Sequence, residues 1–252
     1  MKKTSSSPID APDIQNEVDS ILSSLPTETE TAVTLPSKGK FYGDACPDGI
    51  VKIRPLKFED EKALLSVKDK NADPVGLILG RCVEGVSPQS LVMMDKFFLV
   101  MKIREISYGD EYLVESQCGQ CGVKNPLQFI LSQLEVKYIP EDFTDPQEVD
   151  LPGLGKKAKV RLPRVHDESY MAHASIMMDN LWRWVVEIDG NSKSTVISKV
   201  IPHLPSSDIH TIVKKLTSSD YGIETKARFT CDSCAAVNDI SIPITENFFS
   251  VN

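Results

Sequence analysis

The sequence predicts an α+β fold in which two β-hairpins, far apart along the chain, come together and close around an inserted, mostly helical region. Three features predict it. The pairs Cys118/Cys121 and Cys231/Cys234 share one spacing, and each lies between an alternating run and a second apolar run. The chain from His166 to about Leu216 reads mostly as helix. Residues 1–33 are rich in Ser, Thr, Glu and Pro and read as a flexible arm.

Within the arm, IQNEVDSILSSL sets Ile14, Val18, Ile21, Leu22 and Leu25 at helical spacing, a stripe that one short helix cannot bury alone. The folded body is expected to begin at TLPSKGKFY, where Pro36 and Gly39 specify a turn and Phe41 and Tyr42 anchor it. IVKIRPL alternates Val51, Ile53 and Leu56 against Lys52 and Arg54, as a half-buried strand does. FEDEKALLSVKD opens a helix with acids, which suit the positive end of a helix dipole. PQSLVMMDKFFLVMKIREISYG carries a thick apolar face and is expected to end as a helix near Gly109.

LPGLGKK reads as a turn, and AKVRLPR as a strand after it. That strand echoes the earlier one: VKIRPLKFEDEKALL and AKVRLPRVHDESYMA share an arginine, a nearby proline and an acidic pair opening a helix. The match is short and reads as a common local solution rather than a duplication. DGNS and PSSD punctuate the helical region, the serines of the second suiting a helix N-cap. NLWRWVVEI is ambiguous, and is assigned to helix because it continues the pattern from Tyr170. The resulting plan is an arm over 1–33, an α+β region with the first knuckle over 34–165, a helical insertion over 166–218, and the second knuckle with a C-terminal strand over 219–252.

The spacing of the cysteines carries the chemistry. Two residues between thiols let both sulfurs face one ion while turn amides hydrogen-bond to them. EYLVES and PLQFIL flank the first pair, ETKARF and DISIPI the second, so strand, knuckle, strand occurs twice, the pattern of a zinc ribbon. Cys118, Cys121, Cys231 and Cys234 are therefore the expected ligands of one structural Zn2+, a closed tetrahedral shell with no position left for substrate. Two other readings stand beside it: a dithiol redox site, although neither pair opens a convincing helix, and unliganded packing, which does not need one spacing twice. Cys82 is expected in the core, and neither it nor Cys46 has a CxxC partner.

A net charge of -8 argues against binding driven by nucleic-acid phosphates. No apolar run follows the initial lysines as in a signal peptide, and none is long enough to span a membrane. The chain is thus expected in a reducing cytoplasm, where six cysteines are thiols or metal ligands rather than disulfides. The basic stripe Lys156, Lys157, Lys159, Arg161 and Arg164 reads first as a solvated face and second as a contact for nucleic acid or an acidic partner. His166 and His173, like His203 and His210, lack the carboxylates that would make a catalytic or metal motif. Trp182 and Trp184 read as core, or as interface anchors if exposed. No phosphate-loop, dinucleotide, HExxH or GxSxG motif occurs.

LPSKGKFY, the VKIRPL strand with its acidic helix start, IREISYGDEY leading into CGQC, and the late CDSC ending in NFF together resemble the T4-like bacteriophage baseplate hub proteins, the hub subunit and the related hub assembly protein. The likeness runs from about Leu35 onward. It implies a late viral protein that helps build the baseplate hub in the host cytoplasm, without enzymatic turnover, with other hub proteins as partners, no membrane, and retention in the tail baseplate left open. A zinc-ribbon nucleic-acid-binding regulator and a dithiol oxidoreductase are the rival readings.

Overall fold

A computed structural model describes residues 11–24, 30–66, 73–218, 221–244 and 246–249. Of the expected arm, residues 1–10 and 25–29, Leu25 among them, lie outside these. Its described parts are helix α1 (Ala11–Ser24), which exposes Ile14, Val18, Ile21 and Leu22, and strand β1 (Thr31–Thr34), which is already paired. The ordered sheet thus begins three residues before the expected boundary at 34.

β1 pairs antiparallel with β2 (Ile50–Ile53), and β2 pairs on its other edge with β3 (Val83–Glu84). Between β2 and β3 lie α2 (Phe58–Ser66) and α3 (Pro74–Cys82). The Asp73 carboxylate accepts from Gly76 N–H at 2.8 Å, and Pro74 occupies the first turn, so α3 starts from two standard signals. A 3-10 turn (Pro88–Ser90) then leads into α4 (Met93–Tyr108), which ends at Gly109 with φ +90°. The end near Gly109 is as the sequence predicts, although the helix begins later than Pro88. β4 (Glu111–Gln117) and β5 (Lys124–Ile130) form the first hairpin, and β6 (Val136–Lys137) follows. Leu35, Ile53, Leu79, Leu99 and Ile103 lie in the first apolar core, which Tyr112, Leu131, Ile242 and Phe248 join from later elements.

A second core has its own sheet. β7 (Gln147–Leu151), β8 (Lys156–Val160) and β9 (Val185–Ile188) pair antiparallel in that order. α5 (Ala174–Asp179), α6 (Ser194–Val200) and α7 (Ser206–Thr217) complete the unit, and Trp184, fully buried, sits among Val149, Leu151, Ile197 and Ile212. The stretch NLWRWVVEI is therefore not helix throughout. Leu181–Arg183 is one 3-10 turn, and Val185–Ile188 is strand because its β-branched residues pair with β8 and bury Val185 and Ile188. Nor do the serines of PSSD cap α7; they occupy its first turn, and Pro205 stands at the N-cap. The chain closes with β10 (Gly222–Ile223), which pairs with β6, and with β11 (Lys226–Thr230) and β12 (Val237–Ser241), the second hairpin.

The two sheets repeat one construction. At the end of β2, Arg54 donates to its neighbour's carbonyl, Pro55 O, and grips Asp60 through both terminal nitrogens at 2.7 and 3.2 Å. At the end of β8, Arg161 donates to Leu162 O and grips Asp167 at 2.7 and 2.8 Å. Each aspartate also accepts the backbone N–H three residues before it, from Lys57 or Arg164, and each is buried. The spacing between these pairs is 107 (161 − 54).

A second correspondence has a spacing of 113 (208 − 95). Asp95 and Asp208 are each the third residue of their helix, each fully buried, and each holds the hairpin loop of its own sheet. Asp95 accepts from Ser37 N–H at 3.0 Å and Tyr42 O–H at 2.5 Å; Asp208 accepts from Gly153 N–H at 2.6 Å and Leu154 N–H at 2.8 Å. The same spacing relates the 3-10 turns Pro88–Ser90 and Ile201–His203. The echo read as a local solution is part of a longer repetition.

Candidate metal centre

Each hairpin ends in a tight knuckle. In the first, Cys118 N–H donates to Val123 O and Gly122 N–H to Cys118 O, both at 2.9 Å. In the second, Cys231 N–H donates to Ala236 O and Ala235 N–H to Cys231 O, also at 2.9 Å. The register is the same in both, Gln117 facing Lys124 and Thr230 facing Val237. The turn needs one residue with positive φ, and here the knuckles differ: Gly122 sits at +74°, Ala235 at +57°. A Cβ in that region meets the following carbonyl, a strain that glycine avoids. Ala235→Gly is expected to raise stability by about 1 kcal/mol in urea unfolding with metal present.

The fold brings the two knuckles tip to tip. All four sulfurs lie within 4.8 Å of one another. Cys118 Sγ is 3.7 Å from Cys234 Sγ, and Cys121 Sγ is 3.6 Å from Cys231 Sγ. A tetrahedron with metal–sulfur bonds of about 2.3 Å has edges of about 3.8 Å, so this spacing suits a four-thiolate shell. The first cysteine of each pair is buried and the second exposed. Exchanging one knuckle for the other exchanges the two short sulfur contacts, so the cluster has a local two-fold arrangement.

Two asparagines that sequence reading passed over complete the pattern. Asn125 and Asn238 each stand four residues beyond the second cysteine of their knuckle. Asn125 donates to Val123 O and accepts Asp232 N–H from the other knuckle at 3.0 Å. Asn238 donates to Ala236 O, accepts Gly119 N–H from the other knuckle at 2.9 Å, and turns its amide toward Cys118 Sγ at 3.5 Å. Each knuckle is thus latched to its neighbour by the other's asparagine. The signal was present as a shared Cys-x3-Asn continuation.

Electrostatics separate the four thiols. The N–H groups of Cys121 and then Gln120 aim at Cys118 and bring its thiol down to about 6. Those of Cys234 and Ser233 lower Cys231 in the same way. At Cys234 the Ala236 N–H favours the thiolate, but the neighbouring sulfurs, Cys121 foremost, outweigh it and push the thiol up to about 12. Four sulfurs this close cannot all be anions without a cation among them. A group of this kind can hold a divalent metal ion.

The other candidate residues are elsewhere. Cys46 and Cys82 are both buried in the first core. His166 lies against Gln89 O, while His173, His203 and His210 are exposed. Trp184 is core, and Trp182 packs under the Arg183 guanidinium. Each cation of the basic stripe faces a carboxylate: Lys156 with Asp189, Lys157 with Glu148, Lys159 with Glu187, Arg161 with Asp167, Arg164 with Asp145. Among the described residues, no helix is long and apolar enough to cross a membrane.

Comparison with known proteins agrees with the resemblance at the level of family. No curated protein and no solved structure matches the chain. A family model does, that of the T4 bacteriophage base plate protein, and it runs over residues 27–250 and so takes in both sheets and both knuckles. The chain belongs to the T4 bacteriophage base plate protein family.

Proposed function

We propose that this protein is a non-enzymatic structural or assembly component of the hub of a contractile tail baseplate, and that one Zn2+ held by Cys118, Cys121, Cys231 and Cys234 fixes its shape. Family membership supports the setting, and the sulfur cluster carries the metal assignment. Zinc suits four thiolates because it is redox-inert and takes tetrahedral sulfur ligation without an open position. When bound it would neutralise the crowded sulfurs and tie the second hairpin to the first. Its partners are other hub proteins, met in the host cytoplasm during assembly.

Burial argues against the dithiol reading. A redox thiol must be both acidic and accessible. Here the acidic thiols, Cys118 and Cys231, are buried, and the exposed Cys234 is raised. The pairing of the basic stripe argues against the nucleic-acid reading, since phosphates would have to displace carboxylates already in place. Affinity capture of the tagged chain from infected cells making whole tails should recover hub components. Recovery of tail tube or sheath proteins without hub components would refute the hub assignment while leaving the metal centre intact.

A further inference from the structure

The repetition has a consequence for the surface. The second unit docks on the first through the corner that follows its strand-end arginine. Val165 N–H donates to Leu91 O at 2.9 Å, Met93 N–H donates to Pro163 O at 3.3 Å, and the Arg164 guanidinium donates to Ser90 O at 3.0 Å. Val165, Leu91 and Val92 are buried by this joint. A corner on one unit therefore sits on the helix entry of the other, a head-to-tail contact.

Among the described residues, each half of that joint recurs at the opposite place without making the same contact. Val165 lies four residues beyond Arg161, and the residue four beyond Arg54 is Phe58, whose surface is 78% exposed. Leu91 corresponds at a spacing of 113 to Leu204, which is half-buried and lines a mainly apolar hollow of about 440 Å³ with Leu154, Val196 and Val200, which Thr195, Lys199 and His203 also line. Among the described residues, the Phe58 side chain on the first unit stays exposed and the Leu204 hollow on the second is open.

We propose that a second copy of this chain fills the seat: the Pro55–Phe58 corner of one copy docks at the Leu204 hollow of the next, repeating between molecules the joint already made within each. The internal joint points to this occupant, since exposed Phe58 and the Leu204 hollow are the counterparts of two surfaces that fit together. Such a contact is heterologous, so copies add head to tail, into a ring where the rotation closes and an open filament where it does not. The inference rests on the repetition and does not depend on the metal.

Sedimentation of the full chain over a range of concentrations tests it. The wild type should self-associate, and Phe58→Asp or Val196→Asp should each weaken association at least about tenfold, because a charge would be buried in an apolar seat. Both positions are exposed in the single chain, so folding should survive, and circular dichroism checks that it does. The decisive arm mixes the two variants, since each keeps one intact surface. A one-to-one dimer that grows no further is the expected result. A wild type that stays monomeric, or a mixture that stays monomeric, would overturn the proposal. So would loss of association on deleting residues 11–24 with none on Phe58→Asp, which would make the α1 stripe the occupant.

Discussion

Removing the proposed metal is expected to release the second hairpin and leave the first in place. Between Lys226 and Ser241 the buried residue is Cys231, and none of the other side chains there belongs to either core. The first hairpin differs, because Tyr112 is a core residue, Val114 and Phe129 pack against the same core, and Leu131, just beyond β5, belongs to it. Zinc held by thiolates in small peptides contributes roughly 10–16 kcal/mol of apparent binding free energy, as much as a whole domain's stability. Without it, β11 and β12 keep mainly their own ladder and the asparagine latches, and an isolated two-stranded hairpin is marginal in water. Hydrogen exchange before and after chelation should therefore show protection collapsing over 226–241 by several orders of magnitude. Protection over 111–130 should fall much less. Equal losses in both hairpins would mean that the metal supports the whole fold, and no change in either would mean that packing alone holds the knuckles.

The arginine–aspartate clamps are the second place where a single change should be costly. Asp60 and Asp167 are buried and accept from a guanidinium and a backbone N–H at once. An asparagine keeps one neutral acceptor where two charged oxygens served, turns an N–H donor on the remaining partners and leaves the arginine without its counter-charge, so Asp60→Asn and Asp167→Asn should each cost roughly 3 kcal/mol in urea unfolding. The pH dependence follows with a definite sign. Burial alone would raise Asp60, but Arg54, the Lys57 N–H and Arg81 outweigh it and bring its carboxyl down to about 2. A folded-state value below the unfolded one gives stability that is present above pH 4 and lost as pH falls toward 2. The gap between wild type and Asp60→Asn should accordingly shrink over that interval. A gap that stays constant would show that the carboxylate contributes packing and not charge.

Much of this was legible in the sequence where the determining contacts are local. The knuckles were, because a CxxC turn and its alternating flanks lie close together in the chain and mark strand, turn and strand. The helix end at Gly109 was, since its φ of +90° favours glycine. What could not be read depends on residues far apart. That the two knuckles meet across 109 intervening residues is a property of the packed units, not of either CxxC. The basic stripe looked like a surplus of charge because its carboxylates come from β7, β9, the turn after β9, the loop before β7 and the turn after Arg164. Trp182 and Trp184 continued a helical rhythm, yet pairing with β8 made the next four residues strand.

The repetition was half visible for a physical reason. The positions that recur are those whose side chains hold backbone: Arg54 and Arg161, Asp60 and Asp167, Asp95 and Asp208, Asn125 and Asn238. Core positions recur only as apolar, Leu99 against Ile212 for instance, because packing constrains volume and pattern more than identity. The change of spacing from 107 to 113 then breaks the alignment between the clamp and the final helix. Only the short echo around the arginines survives inspection of the sequence.

One ion shared by sulfurs from both halves of the chain is the proposal from which the rest follows. Native mass spectrometry of the freshly purified protein measures this directly, alongside Cys118→Ser and Cys231→Ser. One zinc per chain is expected in the wild type and none in either variant, since each removes a ligand from the same shell. Two zinc ions per chain, or a variant of one knuckle that keeps its full metal complement, would contradict it.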